Sequence, residues 1–283
     1  MVYDVVFESD SGEKYVFGKN GNTVFDMDLG NGVPVDIGTS QGFYQIGETM
    51  QSRTVSGRTI KVNGVVYGNV QEQKKRMRKI ISPFACGRLV FDGKYYTRVC
   101  VKDSPTFSSV KNDGRFTMQF FAPFPFFYST NSQFSEIGST KPMFSFPVNY
   151  SNVHKFGEKT NARYKNISND GDVKVPFSIY LHSRGTSTNI IIANLKTFKT
   201  LKIKGVLNSG DFVNIYRDDD NILRAELTSD GVTSDIISWI DEDSELFELE
   251  VGDNLISASD DEGGLSLTAK ITFSPAVVAL YES

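Results

Sequence analysis

Between residues 175 and 273 the chain repeats one pattern: a short run of mostly alternating apolar and polar residues, then a turn. The runs cover 175–181, 189–193, 200–204, 212–216, 222–227, 246–251 and 265–273. Leu201-Lys202-Ile203-Lys204 and Leu267-Thr268-Ala269-Lys270-Ile271 show it plainly. Successive side chains of an extended chain point to opposite faces, so each alternating run presents one apolar face that must be buried. Short strands at roughly 8–12-residue spacing, with Gly, Asp or Asn between most of them, bury those faces most simply as two stacked antiparallel sheets. This half is expected to be wholly β.

The first half reads mostly as strands too. Residues 3–7 and 14–17 bracket Asp10-Ser11-Gly12 as an opening hairpin, and 54–68 alternates well enough for one or two strands. Residues 89–91, 95–101 and 116–120 continue the pattern, with Phe116, Met118 and Phe120 on one face and Thr117 and Gln119 on the other. The 22 Phe, 12 Tyr and 24 Gly fit this reading, because aromatics suit a half-buried pleated surface and glycine its turns. Residues 18–42 carry Gly-rich and polar turns with only short apolar pieces, and are expected to form a long loop or irregular excursion.

One segment departs from the rule. Residues 69–81 lack turn residues and favour helix, with Asn69 as N-cap, Glu72 completing a capping box and Pro83 as the stop. Val70, Met77, Ile80 and Ile81 fall on one stripe, so the helix is expected to cover a sheet.

The N-terminus has no basic flank, long apolar run or cleavage site and does not read as a secretory signal. No stretch approaches the ~20 apolar residues of a membrane-spanning helix. Cys86 and Cys100 are the two cysteines, flanking a hairpin that turns at Asp92-Gly93. A three-residue Asp92-Gly93-Lys94 loop pairs positions 86 and 100 directly, whereas a two-residue loop leaves them one place out of register. A chain without a signal is made in a reducing compartment, so two reduced, partly buried thiols are expected.

Residues 1–141 carry 17 Lys and Arg against 13 Asp and Glu, and residues 142–283 carry 13 against 21, within a net charge of −4. A polar Ser/Thr/Asn run begins at the same place, which sets a domain boundary near residue 132: a first domain over 1–132 and a second over 133–283.

Catalytic chemistry is scarce. His154 and His182 are the only histidines, and neither lies in a nucleophile-elbow context or in zinc-like spacing with the cysteines. No phosphate-cradling loop occurs, and Gly18-Lys19-Asn20-Gly21 and Gly30-Asn31-Gly32 read as turns. Glu248 and Glu250 share one face of an expected strand, about 7 Å apart, a spacing between the carboxylate pairs of retaining and inverting glycosidases. Phe247, Leu249 and Val251 take the opposite face, so the plainer reading is a solvated outer edge. Asp218-Asp219-Asp220-Asn221 lacks the order of a calcium loop and reads as an acidic turn, like Asp241-Glu242-Asp243-Ser244-Glu245. Lys74, Lys75, Arg76, Arg78 and Lys79 form a basic run that a helix spreads around its circumference. No aromatic interleaves with it, so a solvated face or one matched to an acidic neighbour subunit is favoured over a nucleic-acid patch. The Phe120–Tyr128 block has the composition of a sugar-stacking surface, but its prolines favour core and strand-end packing. No catalytic, cofactor, metal or carbohydrate residue is assigned.

Four segments in order resemble the distal tail proteins (Dit) of long, flexible-tailed bacteriophages. They are Arg58-Thr59-Ile60-Lys61-Val62-Asn63-Gly64-Val65-Val66-Tyr67-Gly68 with the basic helix and Ile81-Ser82-Pro83 behind it; Phe116-Thr117-Met118-Gln119-Phe120 running into Pro123-Phe124-Pro125-Phe126-Phe127; Asn169-Asp170-Gly171-Asp172; and Leu249-Glu250-Val251-Gly252-Asp253-Asn254. The resemblance implies a mainly β protein: an N-terminal tail-tube-related β-barrel-like domain with one helix, and a C-terminal galectin-like β-sandwich. It implies a homohexameric ring at the distal end of the virion tail, assembled in the bacterial cytoplasm. The ring would join the tube protein to tail-tip proteins, hold fibre or receptor-binding proteins and leave a channel through which DNA passes. It implies no enzyme activity, no cofactor and no membrane partner. Residues 18–42 and the linker depart from the family pattern. His182-Ser183-Arg184 lacks the asparagine of a galectin site, and Trp239 falls in an acidic loop, so sugar binding is not the expected role. A carbohydrate-binding adhesion module recognising host cell-wall glycans is the alternative.

Overall fold

The computed structural model describes residues 4–30, 32–110, 112–138, 140–142, 157–159, 163–245, 247–261 and 267–280. The chain forms two compact units, Met1–Asn131 with Ala276–Ser283, and Ser132–Pro275.

Unit one contains β1 (Val5–Ser9), β2 (Lys14–Phe17), β3 (Thr23–Asp28), β4 (Val35–Ser40), β5 (Thr49–Val55), β6 (Arg58–Val66), helix α1 (Val70–Ile80), β7 (Cys86–Phe91), β8 (Tyr95–Phe107), β9 (Arg115–Ala122) and β10 (Phe127–Ser129). Its main sheet runs β2-β1-β7-β8-β9-β6-β3, antiparallel at every step. The two ends of this path approach each other. Phe17 of β2 and Phe25 of β3 pack with ring centroids 5.6 Å apart, and the Tyr15 and Thr23 hydroxyls share a buried hydrogen bond of 3.2 Å. Phe7, Phe17, Ile60, Leu89, Met118 and Phe120 fill the enclosed core.

The helix forms as its sequence dictates. Asn69 Oδ1 accepts from the Glu72 backbone N–H, and Asn69 Nδ2 donates to the Glu72 carboxylate, which satisfies the first turn. Met77, Ile80 and Ile81 are buried in the unit-one core.

Residues 18–42 are not a long loop. They contain β3, whose Met27 reaches the core, and β4, which pairs with β5 as a separate two-stranded hairpin. The long-loop expectation is therefore corrected. β4 and β5 bury no face, so no two-residue period marks them in the sequence.

Unit two contains β11 (Gln133–Ile137), β12 (Thr140–Pro142), β13 (Gly157–Lys159), β14 (Tyr164–Asn169), β15 (Phe177–Ser183), β16 (Ser187–Asn194), β17 (Lys199–Leu207), β18 (Phe212–Arg217), β19 (Leu223–Ser229), β20 (Val232–Asp235), β21 (Gly252–Ser259) and β22 (Leu267–Phe273). One sheet runs β11-β22-β15-β18-β19-β20 and a second β14-β21-β16-β17, while β12 pairs with β13. Ile179, Leu181, Val213, Ile215 and Ile271 of the first sheet and Ile167, Ile190, Ile192, Leu201 and Ile256 of the second are buried, as the alternation required. The fold is mainly β throughout. The strand expected over 246–251 differs: its described residues, 247–251, make a single bridge, Leu249 with Val175.

A final strand, β23 (Ala276–Val277), returns to unit one and pairs with β10, which itself pairs with β8. The expected domain over 133–283 did not include this return. A two-residue strand is too short to carry a sequence pattern.

Candidate functional site

The groups with potential chemistry are dispersed or already engaged. His182 lies within β15, its ring stacked on Phe212 of β18 at 4.6 Å; His154 falls outside the described residues. Glu248 is paired with Lys174 at 2.7 Å, which raises the Lys174 pKa, chiefly through the hydrogen bond it donates to Glu248. Glu250 is exposed, its backbone N–H donating to Asn254. Asp218 closes its turn by accepting from the Ile222 and Asp220 backbone N–H groups and from Arg224. These hydrogen bonds, that from Ile222 foremost, hold its carboxyl below the usual range. Asp241 likewise accepts from the Asp243 N–H and pairs with Lys204 at 3.1 Å. Among the described residues, no group of three or more His, Cys, Asp or Glu is placed to hold a metal.

The basic helix is also divided. Lys74 and Arg78 sit over the Phe107 ring, at 5.3 and 5.0 Å from its centroid, and Lys79 pairs with Glu13. Lys75 and Arg76 remain exposed on another side. Of the Phe120–Tyr128 block, Phe120, Ala122 and Phe127 are buried in the core, Phe124, Phe126 and Tyr128 are half-buried and Phe121 is exposed.

The cysteines are not free thiols. Asp92 and Gly93 both adopt left-handed backbone, Lys94 N–H donates to Phe91 carbonyl, and Phe91 pairs with Tyr95 across a three-residue loop. That register sets Cys86 opposite Cys100, and the two are disulfide-bonded. The expectation of reduced thiols rested on compartment; of the two loops weighed, the three-residue one that pairs the cysteines is the one that forms.

Trp239 is no sugar platform. It lies in a short 3-10 turn with its ring on the backbone of Gly205, and the residues behind it cover the edge of β17. There Ile240 bridges Ile203, and the Asp241 and Glu245 N–H groups donate to the Lys202 and Thr200 carbonyls.

What the fold leaves uncovered is surface suited to other chains. Every residue of β5 and all but one of β4 are exposed, among them Ile37 and Met50. The hairpin's tip carries Phe43, Tyr44 and Ile46 at 92, 94 and 101% exposure, with Tyr44 in left-handed backbone. A seven-residue strand reaches about 23 Å, and a lone two-stranded hairpin is marginally stable in water, so apolar side chains along one call for a partner. Val24 and Val65, paired across β3 and β6, add an exposed apolar spot on the same unit. In unit two, β20 ends its sheet with all four residues exposed. Unpaired edges of this kind are templates for added strands. In the sequence, Val35-x-Ile37 and the Gly42-Phe43-Tyr44-Gln45-Ile46-Gly47 tip are short apolar pieces among polar neighbours, too few to mark a strand period.

No protein-family model and no curated protein sequence matches the chain. Solved structures do. The crystal structure of the SPP1 Dit (gp 19.1) protein, described as a paradigm of the hub adsorption apparatus in phages infecting Gram-positive bacteria, superposes with a TM-score of 0.66 at 11% identity, over 98% of this chain and 99% of that one. Chains of the phage P2 baseplate in its activated conformation, with Ca and with Sr, give TM-scores of 0.52 and 0.53 at 14 and 15% identity, over 97% of this chain and 98% of theirs. The chain therefore has, across both of its units, the fold of the phage Dit hub protein.

Proposed function

We propose that this protein is a structural component of a bacteriophage tail: a distal tail protein whose copies close into a ring, expected to be a hexamer, between the tail tube and the baseplate. The observation that carries the reading is end-to-end likeness to a Dit hub and to baseplate chains, covering both units rather than one common sandwich. The surfaces support it. A closed ring needs heterologous contacts in which one patch meets a different patch on the next copy. The β4–β5 hairpin and the Val24/Val65 spot are two such unlike surfaces on one unit. The second unit is placed, in this reading, as the support for fibre or receptor-binding proteins. The protein acts by shape and adhesion and needs no cofactor.

Negative-stain microscopy and light scattering of the purified protein, alone and with tube and tip proteins, test this. A ring-sized species is expected. A monomer at high concentration that joins neither partner overturns it.

A second reading, a glycan-binding module, draws on one observation: Tyr180, Phe212 and His182 form a row on the six-stranded sheet of unit two, with Asn214 opposite Tyr180. His182 and Phe212 turn their ring faces toward each other, which leaves less ring face for a sugar. Loss of cell-wall glycan binding in Tyr180→Ala would support it, and absence of binding by the unaltered chain would remove it.

A further inference from the structure

We propose that Cys86 and Cys100 form a redox-dependent clasp: the protein folds as the dithiol, and the bond closes on the finished fold when the chain meets a disulfide oxidant. Three observations carry this. First, hydrogen bonds alone bring the sulfurs together. Cys86 is opposite Cys100 in an unbroken β7–β8 register, with the Val101 N–H donating to Ala85 carbonyl beside them and the Asp10 N–H to Cys86 carbonyl on the other side. The bond is not needed to position its own partners.

Second, the pair lies off the core. On β7 it is Gly87, Leu89 and Phe91 that face inward, and on β8 Thr97 and Val99, so both cysteines point to the outer face, where they are half-buried. Their neighbour across β8 and β9 is Phe121, also partly exposed. A small oxidant or reductant reaches the pair without opening the core. Third, the chain has only these two cysteines, so oxidation within one molecule has a single product. Arg88 and Arg98 face each other at the next outward positions, with Arg98 ion-paired to Asp10 and Arg88 over the Tyr96 ring; the attacking form is the thiolate.

The reaction balances with a low-molecular-weight disulfide. One thiolate attacks it and expels a thiol; the second displaces the other sulfur from the mixed disulfide. Two protons and two electrons leave the protein and reduce the oxidant to two thiols. Folding in a reducing cytosol and closure outside it rest on the tail reading above; the chemistry of the pair does not.

The test uses the full chain made in a reducing bacterial cytosol, alkylated in whole cells before lysis and read by mass spectrometry. Both thiols are expected to be alkylated. After purification and treatment with oxidised glutathione, neither is, the hydrodynamic size is unchanged, and the unit-one melting transition rises by about 5–10 °C. A bond already closed in whole cells, thiols that survive oxidised glutathione, or failure of the Cys86→Ser/Cys100→Ser chain to fold overturns the clasp. Light scattering on the same samples, alone and with tube and tip proteins, reports assembly separately, so a clasp in a chain that neither forms a ring nor joins those partners sinks the tail reading and leaves the clasp standing.

Discussion

The ring of Trp239 lies directly on the backbone of Gly205, so closely that a Cβ on Gly205 would meet Trp239 Cε3 at 1.7 Å. The contact pins the turn that shields β17, and it requires glycine at 205 for lack of space rather than for backbone freedom. Gly205→Ala is expected to destabilise unit two by about 2–4 kcal/mol. Trp239→Ala in the same chain should recover part of that loss, because it removes the clash. Trp239 is the only tryptophan, so its fluorescence in urea titrations reads the single variant directly, and circular dichroism completes the double-mutant cycle.

Asn254 is fully buried and accepts from the Glu250 N–H and from Asn194 Nδ2, while donating to the Glu250 and Gly252 carbonyls. Asn194 in turn accepts from the Lys196 and Thr197 N–H groups. Asn254→Ala strands several buried partners at once, and a loss of about 3–5 kcal/mol is expected. Chemical denaturation with a probe of the second unit measures it.

Arg58 is buried in unit one, donates to the Leu29 and Val278 carbonyls and stacks over Phe127 at 4.7 Å. Burial lowers its pKa, yet no carboxylate is among these contacts. Arg58→Ala is expected to free the C-terminal segment, seen as new proteolytic cleavage beyond residue 275, and to cost about 2–4 kcal/mol.

Acid should weaken unit two in a defined window. Backbone N–H donors foremost, then Arg224 and Lys204, hold the Asp218 and Asp241 carboxyls below their ordinary value of 3.8. A depressed folded pKa contributes stability that is present above the unfolded value and lost as pH falls through the folded one. The melting temperature is therefore expected to fall below about pH 4, and Asp218→Asn with Asp241→Asn should flatten that limb.

Serine at Phe43, Tyr44 and Ile46 should leave the fold intact, since none of the three is buried. The expected outcome is an unchanged melting curve, within about 0.5 kcal/mol, and, on the proposed ring reading, loss of the ring-sized species in light scattering.

How much of this was legible depended on burial. α1 and its cap, the alternation of Phe116, Met118 and Phe120, and most of the second-half strands were readable because one face of each is buried. β4 and β5 were not, since a strand exposed on both faces has no period to detect. Residues 246–251 erred the other way. Phe247 and Leu249 are buried while Glu250 is exposed, but Gly252 turns the chain in left-handed backbone and only Leu249 pairs. The exposed edges were not legible either, because they depend on which strands the topology leaves last in each sheet.

The return of β23 to β10 makes unit two an insert within unit one, and the Ser132 and Ser274 hydroxyls, 3.1 Å apart, put its entry and exit side by side. An insert spliced in at adjacent points can be exchanged for another cassette while its host frame keeps every strand. It also means that trimming the chain from its C-terminal end first strips a staple from the frame, and only afterwards reaches the appendage.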